Sequence, residues 1–380
     1  MTEAIEPFHL AIPQAELDDL RERLARTRWP ERETVNDWSQ GAPLEKVKAL
    51  CDYWRTSYDW RRCETMLNGL GQYKTTIDGL GIHFLHIRSP EPNALPMIMT
   101  HGWPGSVIEF MKVIGPLTDP VAHGGRAEDA FHLVLPSLPG YGFSDKPTAP
   151  GWKVERIGTA WIELMRRLGY DRYVAQGGDW GSIVTTALAR LHPPQCAAVH
   201  INMTPILPQA DEQQNMTPKE QGAVDSLTYY NQQESGYAMQ QGTRPQTLGY
   251  ALTDSPIGQA AWIYEKFHAW TDNQGNPEDA LSVDEMLDNI MLYWLSGTAT
   301  SAARLYWESM RDGYMKQPLQ MPIGVSIFPK EIFRTSRRWG ERYYKNIIHW
   351  NELERGGHFA AFEQPVVFVQ EVRTCFRTVR

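Results

Sequence analysis

An acidic residue stands at the centre of a sharp strand–turn–helix junction in this sequence. Residues 177–181 read Gly-Gly-Asp-Trp-Gly, between a predicted strand at residues 173–176 and a predicted helix at residues 183–190. The pattern Gly-x-nucleophile-x-Gly is typical of a nucleophile elbow, in which small residues allow a tight turn that exposes the central side chain. Asp179 occupies the nucleophile position, which more often holds a serine. The alternative is that Asp179 only caps the following helix, because aspartate is a favoured N-cap and turn residue.

Two further residues that could act with Asp179 follow later strands of the same predicted sheet. Glu331 comes after a strand at residues 322–328, and His358 lies in a glycine-flanked loop after a strand at residues 347–350. Because sites in open parallel sheets form at the carboxyl ends of strands, the three side chains are expected to meet at one edge. Their order along the chain is nucleophile, acid, base, which is the order found in α/β-hydrolases. Three other glutamates remain competitors for the acid: Glu341, Glu352 and Glu354.

A carboxylate nucleophile indicates chemistry at a saturated carbon atom. Attack by serine on such a carbon would leave an ether, whereas attack by Asp179 leaves an ester whose carbonyl belongs to the enzyme. Water activated by His358 can hydrolyse that ester, and Glu331 would orient His358 and stabilise its charged form. Trp103 follows another strand end, and the backbone N–H groups of Trp103 and Trp180 are expected to form the oxyanion hole.

Strands and helices alternate in the predicted elements that position these residues. We predict an α/β-hydrolase fold, with a mostly parallel central sheet flanked by helices, an inserted helical cap and an N-terminal helical extension. The core comprises residues 71–202 and 311–380. Residues 203–310, which are rich in Gln, Asn, Tyr and Met, form the cap. Residues 1–70 form a helical region that wraps the core.

Composition and charge argue against several classes of function. The net charge of the 380-residue chain is −8 with no basic tract, which argues against binding to nucleic acid or an anionic membrane surface. Four scattered cysteines and the lack of a metal-ligand cluster predict a reducing compartment and no metal or other cofactor. Since no signal-peptide pattern and no apolar stretch of about 18–20 residues is present, we expect a cytoplasmic protein without a membrane anchor.

The combined motifs resemble those of the epoxide hydrolases of the microsomal and juvenile-hormone type, within the α/β-hydrolase superfamily. The resemblance covers essentially the whole chain. It rests on residues 101–106 (His-Gly-Trp-Pro-Gly-Ser), 177–182 (Gly-Gly-Asp-Trp-Gly-Ser) and 355–363 (Arg-Gly-Gly-His-Phe-Ala-Ala-Phe-Glu). It implies a cofactor-independent enzyme that converts a small hydrophobic epoxide and water into a vicinal diol, in detoxification or secondary metabolism. Membrane-bound members carry an N-terminal anchor that this chain lacks, so a soluble form is implied.

The resemblance also implies two catalytic tyrosines in the cap. Tyr237 and Tyr306 match the family's positions, although the sequence alone would select neither from its 16 tyrosines. Their phenol groups would bind the epoxide oxygen and donate a proton as the ring opens, because tyrosine keeps its proton at neutral pH. Trp103, Trp180 and Phe359 are expected to contact the substrate.

Other functions stay open at this point. A haloalkane or haloacid dehalogenase on the same fold also uses an aspartate nucleophile, but it needs N–H donors for a halide, for which Trp103 or Trp180 could serve. A serine esterase fits less well, because Ser182 follows the tip of the turn. A non-catalytic small-molecule binder is disfavoured by the intact nucleophile, acid and base. The natural epoxide, its stereochemistry and the oligomeric state, a homodimer included, are left open.

Overall fold

The computed structural model of the protein describes residues 3–310 and 317–380. Within these ranges the strands are β1 (Ile5–Pro7), β2 (Gln72–Ile77), β3 (Leu80–Ile87), β4 (Leu95–Thr100), β5 (Phe131–Pro136), β6 (Tyr173–Gly177), β7 (Cys196–Ile201), β8 (Ile323–Ile327) and β9 (Ile347–Glu352). They form one sheet in the order β1-β2-β3-β5-β4-β6-β7-β8-β9. The strands from β5 to β9 in this order are parallel, whereas β1, β2 and β3 join antiparallel. The predicted α/β-hydrolase fold is confirmed.

Helices cover both faces of the sheet and build the cap. The N-terminal helices are α1 (Gln14–Ala25), α2 (Leu44–Thr56) and α3 (Trp60–Asn68), and those that connect the strands from β4 to β7 are α4 (Met111–Thr118), α5 (Val154–Arg167) and α6 (Trp180–Leu191). The cap helices are α7 (Pro218–Tyr229), α8 (Gly236–Thr243), α9 (Pro245–Asp254), α10 (Pro256–Trp270), α11 (Val283–Ser296) and α12 (Ala299–Ser309). The last helices are α13 (Arg337–Gly340), α14 (Ala360–Glu363) and α15 (Pro365–Phe376). The predicted boundary between cap and core adjoins residues 311–316, which lie outside the described residues.

The inner strands are buried because helices pack on both sides of them. All five residues of β6 and all five of β8 are buried, which explains their continuous runs of small and apolar residues. Helix α5 presents Ile157, Trp161 and Leu164 to the sheet at helical spacing. Helix α6 is buried along most of its length. A sheet packed in this way gives the loops at its strand ends a rigid base.

The first strand is a correction to the sequence analysis. The helical region expected at residues 1–70 contains an edge strand at Ile5–Pro7, in which Ile5 lies opposite Thr75 of β2. A strand of three residues is too short to give a periodic signal. The predicted hairpin between β2 and β3 is present, and Asp78 and Gly79 have the positive φ values of a tight two-residue turn.

The N-terminal region contacts the cap. Asp288 of α11 accepts hydrogen bonds from the Tyr58 hydroxyl and the Arg62 guanidinium, each at 2.7 Å. The ring of Trp38 stacks on His268 of α10 with centroids 3.8 Å apart. The N-terminal region therefore connects the cap to the rest of the molecule.

Candidate active site

Asp179 lies at the tip of the turn between β6 and α6. Its φ of 49° is strained for a residue that carries a side chain. A Cβ atom at Gly181 would lie 1.9 Å from the Thr100 carbonyl oxygen, and one at Gly177 would lie 2.1 Å from the Gly181 carbonyl oxygen. Larger residues would therefore force α6 away from the sheet, which is the steric reason for the glycines of the elbow pattern.

The Asp179 carboxylate faces neighbouring loops instead of capping α6. Although Asp179 directly precedes this helix, its side chain accepts no capping hydrogen bond within the described residues. Its Oδ1 accepts a hydrogen bond from the Trp103 N–H at 2.7 Å, and its Oδ2 lies 3.2 Å from His358 Nε2. A Cβ atom at Gly102 would lie 2.0 Å from Oδ1, so this close approach requires glycine. These contacts disfavour the capping alternative.

His358 connects Asp179 to Glu331 through its two ring nitrogens. Nδ1 lies 2.7 Å from Glu331 Oε1, while Nε2 faces Asp179. The Glu331 side chain is fully buried and also accepts the Ile332 N–H at 2.7 Å. Burial lowers the pKa of His358, but the charges and hydrogen bonds of Glu331 and Asp179 outweigh it and raise that pKa well above its ordinary value.

The competing glutamates lie on the surface. Glu341 pairs with Arg337, and Glu352 pairs with Lys219. Glu354 is exposed as well. The structure therefore joins Glu331, and none of these three, to His358.

The loop that carries Trp103 is held by the cap. Asn289 of α11 donates a hydrogen bond to the Pro104 carbonyl oxygen at 2.7 Å. Tyr293 of the same helix donates to the Gly105 carbonyl oxygen, also at 2.7 Å. The N–H group that contacts Asp179 is thus positioned by the cap as well as by the core.

Tyr237 and Tyr306 meet opposite Asp179. Tyr237 comes from α8 and Tyr306 from α12, and their ring centroids are 5.9 Å apart. Both rings pack on Trp103, Tyr237 stacked at 4.9 Å and Tyr306 edge-on at 5.9 Å. Burial raises the pKa of each phenol well above its ordinary value, so both keep their protons at neutral pH.

An apolar cavity of about 200 Å³ joins these groups. Asp179, Trp180, Tyr237 and Tyr306 all line it. Its other lining residues are Ile183, Met203, Pro205, Tyr230, Asn231, Ser235, Ala238, Met239, Met310 and Phe333. The cavity places a carboxylate and two phenols around one small, mostly apolar space.

The two other predicted substrate contacts lie in different surroundings. Trp180 lines the cavity, and its ring packs edge-on against Tyr306 at 4.8 Å. Phe359 is 1% exposed and packs between Phe267, at 5.0 Å, and the His358 ring, at 5.1 Å. Phe359 does not line the cavity. Its contact with substrate, and the share of the Trp180 N–H in an oxyanion hole, remain predictions.

Two features bear on metals and membranes. Across residues 3–310 and 317–380, no group of three or more His, Cys, Asp or Glu side chains could hold a metal ion. Within the same residues, every helix is too short or too polar to cross a membrane.

Comparisons with known proteins cover the whole chain. Residues 5–110 match the family model of the epoxide hydrolase N terminus, and residues 96–224 match the alpha/beta hydrolase fold. The chain is 60% identical over 376 residues to a Stigmatella aurantiaca protein assigned to the epoxide hydrolases, covering 99% of this chain and 86% of that protein. It is 36% identical to epoxide hydrolase 1 of Sus scrofa, covering 98% of this chain and 88% of that protein. The crystal structure of juvenile hormone epoxide hydrolase from the silkworm Bombyx mori superposes with a TM-score of 0.87 at 32% identity, covering 100% and 95% of the two chains.

The chain belongs to the epoxide hydrolases of the microsomal and juvenile-hormone type. An epoxide hydrolase breaks an ether bond, that of the epoxide ring, and adds water to give a diol. The dehalogenase, esterase and non-catalytic alternatives are therefore set aside.

Two polar residues of this epoxide hydrolase's site were missed by the sequence analysis. The Tyr230 hydroxyl lies 3.0 Å from the Tyr237 hydroxyl. Glu109 borders a second cavity of about 10 Å³ that also touches Asp179 and His358. Burial raises the pKa of Glu109 to about 8. Neither residue follows a strand end or belongs to a quoted motif, so the sequence offered no signal for them.

Proposed function

We propose that this epoxide hydrolase opens a small hydrophobic epoxide by attack of Asp179 and then hydrolyses the resulting ester. One observation carries the proposal. The Asp179 carboxylate and the phenols of Tyr237 and Tyr306 line the same apolar cavity, and the hydrogen-bonded pair His358–Glu331 lies on Oδ2 of Asp179. The arrangement has a nucleophile and two acids around the substrate, and a base beside the bond that water must break.

Ring opening requires a nucleophile and an acid at the same time. A carboxylate oxygen of Asp179 forms a bond to one epoxide carbon, and the bond from that carbon to the epoxide oxygen breaks. The developing alkoxide takes a proton from one of the two tyrosines, which hold their protons because burial raises their pKa values. Oδ1 already accepts the Trp103 N–H, so Oδ2 is the attacking oxygen and Oδ1 becomes the ester carbonyl.

Ester formation converts His358 into a base. The charges of Glu331 and Asp179 both raise the pKa of His358 in the free enzyme. Once Asp179 is an ester it no longer carries a charge, so its part of that rise is lost and His358 releases its extra proton to solvent. That proton is taken up again when the Asp179 carboxylate re-forms. His358 can then take a proton from water, and Glu331 stabilises the imidazolium that forms.

A second, small cavity can hold the water that hydrolyses the ester. The cavity of about 10 Å³ beside Asp179 and His358 has the size of about one water molecule. Hydroxide adds to the ester carbonyl carbon, and the Trp103 N–H stabilises the charge on Oδ1. When the intermediate collapses, the departing alkoxide takes the proton from His358 and leaves as the diol. Asp179 then gives up the proton of its new carboxylic acid, which restores the tyrosine phenol.

The cavity also limits the substrate. At about 200 Å³ and with a mostly apolar lining, it suits a small epoxide with a hydrocarbon substituent. A neutral epoxide needs no charge for steering. Styrene oxide is therefore a suitable first probe.

Trapping of the ester tests the proposal. The enzyme is mixed with styrene oxide, quenched in acid within one turnover and digested, and the peptides are weighed by mass spectrometry. The peptide that contains Asp179 should gain the mass of one styrene oxide. The Asp179→Asn variant is the control and should gain none. Diol formation without any modified peptide, under conditions that trap the first turnover, would contradict the proposal.

A further inference from the structure

A third phenol adjoins the two tyrosines of the proposed mechanism. The Tyr230 hydroxyl is 3.0 Å from the Tyr237 hydroxyl, and Tyr230 is 8% exposed. It lines the same cavity as Asp179. Either hydroxyl can donate in the free enzyme, so the direction of this hydrogen bond is free to change when a substrate binds.

Tyr230 lies in an unusual backbone segment. Residues Tyr230–Glu234 form a π-helical turn between α7 and α8. Such turns are rare and often occur at functional sites. The Tyr230 ring packs edge-on against Phe333 at 5.3 Å and against Tyr237 at 6.4 Å. These contacts hold the ring so that its hydroxyl faces that of Tyr237.

The Tyr237 hydroxyl has a single hydrogen, so it can donate only one hydrogen bond at a time. When Tyr237 donates its proton to an epoxide oxygen, its own oxygen can only accept, and the Tyr230 hydroxyl at 3.0 Å can donate to it. A donor on the Tyr237 oxygen strengthens the hydrogen bond from Tyr237 to the substrate. After proton transfer Tyr237 carries a negative charge, and hydrogen bonds to charged oxygens are stronger than those to neutral ones.

A buried cation acts on the same ring. The Lys266 ammonium lies 4.5 Å from the centroid of the Tyr237 ring, and Lys266 is 3% exposed. It is also paired with Glu265 at 2.5 Å. A positive charge at this distance favours the charged form of Tyr237. When Tyr230 is the donor, the hydrogen bond and the cation act in the same direction.

We propose that Tyr230 is a positioning residue for ring opening. By donating its hydroxyl hydrogen to Tyr237, it makes Tyr237, rather than Tyr306, the phenol that releases a proton to the epoxide oxygen. This inference rests on the proposed roles of Tyr237 and Tyr306. No extra reactant is needed, because the proton lost by Tyr237 returns from Asp179 after ester hydrolysis.

The test measures the two half-reactions separately. Ring opening and ester hydrolysis of styrene oxide are followed in single turnovers with enzyme in excess. Tyr230→Phe removes one oxygen atom and should slow ring opening about tenfold while ester hydrolysis keeps its rate. In a Tyr306→Phe background the same tenfold effect should persist. In a Tyr237→Phe background Tyr230→Phe should have no further effect, because its partner is gone.

A matched control removes another buried phenol hydroxyl. Tyr344 is 2% exposed, and its hydroxyl bonds the Thr204 hydroxyl at 2.6 Å. Tyr344→Phe should leave both half-reactions at their wild-type rates, and its thermal unfolding gives the reference for Tyr230→Phe.

Two results would overturn the inference, and a third would overturn the proposed function instead. The inference fails if Tyr230→Phe opens the ring at the wild-type rate. It also fails if Tyr230→Phe slows ring opening equally with and without the Tyr237 hydroxyl, since that marks a general structural effect. If Tyr237→Phe and Tyr306→Phe both open the ring at the wild-type rate, the acid role of the cap tyrosines is wrong.

Discussion

The core and the cap bring different kinds of groups to the site around Asp179. The core supplies Asp179, Glu331 and His358, all on loops that follow strands of the central sheet. The cap supplies the phenols Tyr237 and Tyr306 from two helices. The core holds the groups that would make and break the ester, and the cap holds those that would activate the epoxide oxygen.

The core and the cap differ because the two proposed half-reactions require different geometries. The proposed ester chemistry needs three groups within hydrogen-bond distance, and a sheet with buried strands fixes their loops. Epoxide activation needs only a neutral donor near the substrate, so it can come from a separate layer of helices. The cap also holds the Trp103 loop through Asn289 and Tyr293, which joins the two parts.

Removal of the base from the core should have the largest effect. His358→Gln should reduce ester hydrolysis about a thousandfold or more, because water is then no longer activated. Ring opening should continue, since Asp179 and the cap phenols are untouched. Rapid-quench mass spectrometry should therefore find nearly every enzyme molecule alkylated after one turnover. If His358→Gln never accumulates this adduct, the division of roles is wrong.

Removal of a phenol hydroxyl from the cap should affect ring opening instead. Tyr237→Phe and Tyr306→Phe should each slow ring opening about 10- to 100-fold, and the double variant should be slower than either. Ester hydrolysis should keep its rate in all three. Stopped-flow tryptophan fluorescence can follow both steps, because Trp103 contacts both tyrosine rings. If either single variant slows ester hydrolysis as much as ring opening, the cap tyrosines do not act in ring opening alone.

Sequence reasoning reached the core residues more readily than the cap residues, for a physical reason. Asp179 and Glu331 follow β6 and β8, whose buried runs are visible in the sequence, and His358 follows the neighbouring strand β9. Sheet topology brings these strand ends together. Tyr237 and Tyr306 lie on helices whose side-chain directions depend on packing, so only the family resemblance indicated them.

Two other features were out of reach of the sequence. Tyr230 lies in a π-helical turn within a polar segment, which has no periodic signal. The three-residue strand β1 depends on its pairing with β2, in which Ile5 lies opposite Thr75, and not on its own sequence. Both depend on tertiary contacts that local patterns do not encode.

Ester hydrolysis and ring opening should also differ in their pH dependence, by a smaller factor than in the variants above. Glu331 and Asp179 raise the pKa of His358, and the loss of the Asp179 charge in the ester lowers it again. Ester hydrolysis needs neutral His358, so its rate should rise about tenfold per pH unit below that lowered pKa and level off above it. Ring opening should change little near neutral pH, because the phenols hold their protons. Single-turnover rates between about pH 5 and about pH 9 test this, and an ester hydrolysis rate that falls with pH would contradict it.

The smallest expected effect concerns how the cap is attached. Arg62 lies 2.7 Å from the Asp288 carboxylate of α11, whose side chain is 4% exposed. Arg62→Gln should lower the free energy of unfolding by about 2 kcal/mol, because it removes a hydrogen bond to a buried charge. The rates of both half-reactions should stay within about twofold of wild type, since neither part of the site is changed. Urea unfolding measures the first effect.

The matched control for this change is an exposed ion pair. Arg21 and Asp18 lie 3.3 Å apart on α1, each about half exposed or more. Arg21→Gln should change stability little, because exposed pairs are well solvated. Equal destabilisation by the two substitutions would mean that Arg62 does not help to anchor the cap.

In the proposed mechanism, the new oxygen of the diol comes from Asp179 and not directly from water. This origin is tested by one turnover in water enriched in oxygen-18, with enzyme prepared in ordinary water and kept in excess over styrene oxide. Mass spectrometry of the diol should find the added oxygen unlabelled, and the label should appear in the Asp179 carboxylate. A diol that is fully labelled in this first turnover would mean direct attack by water and would contradict the account.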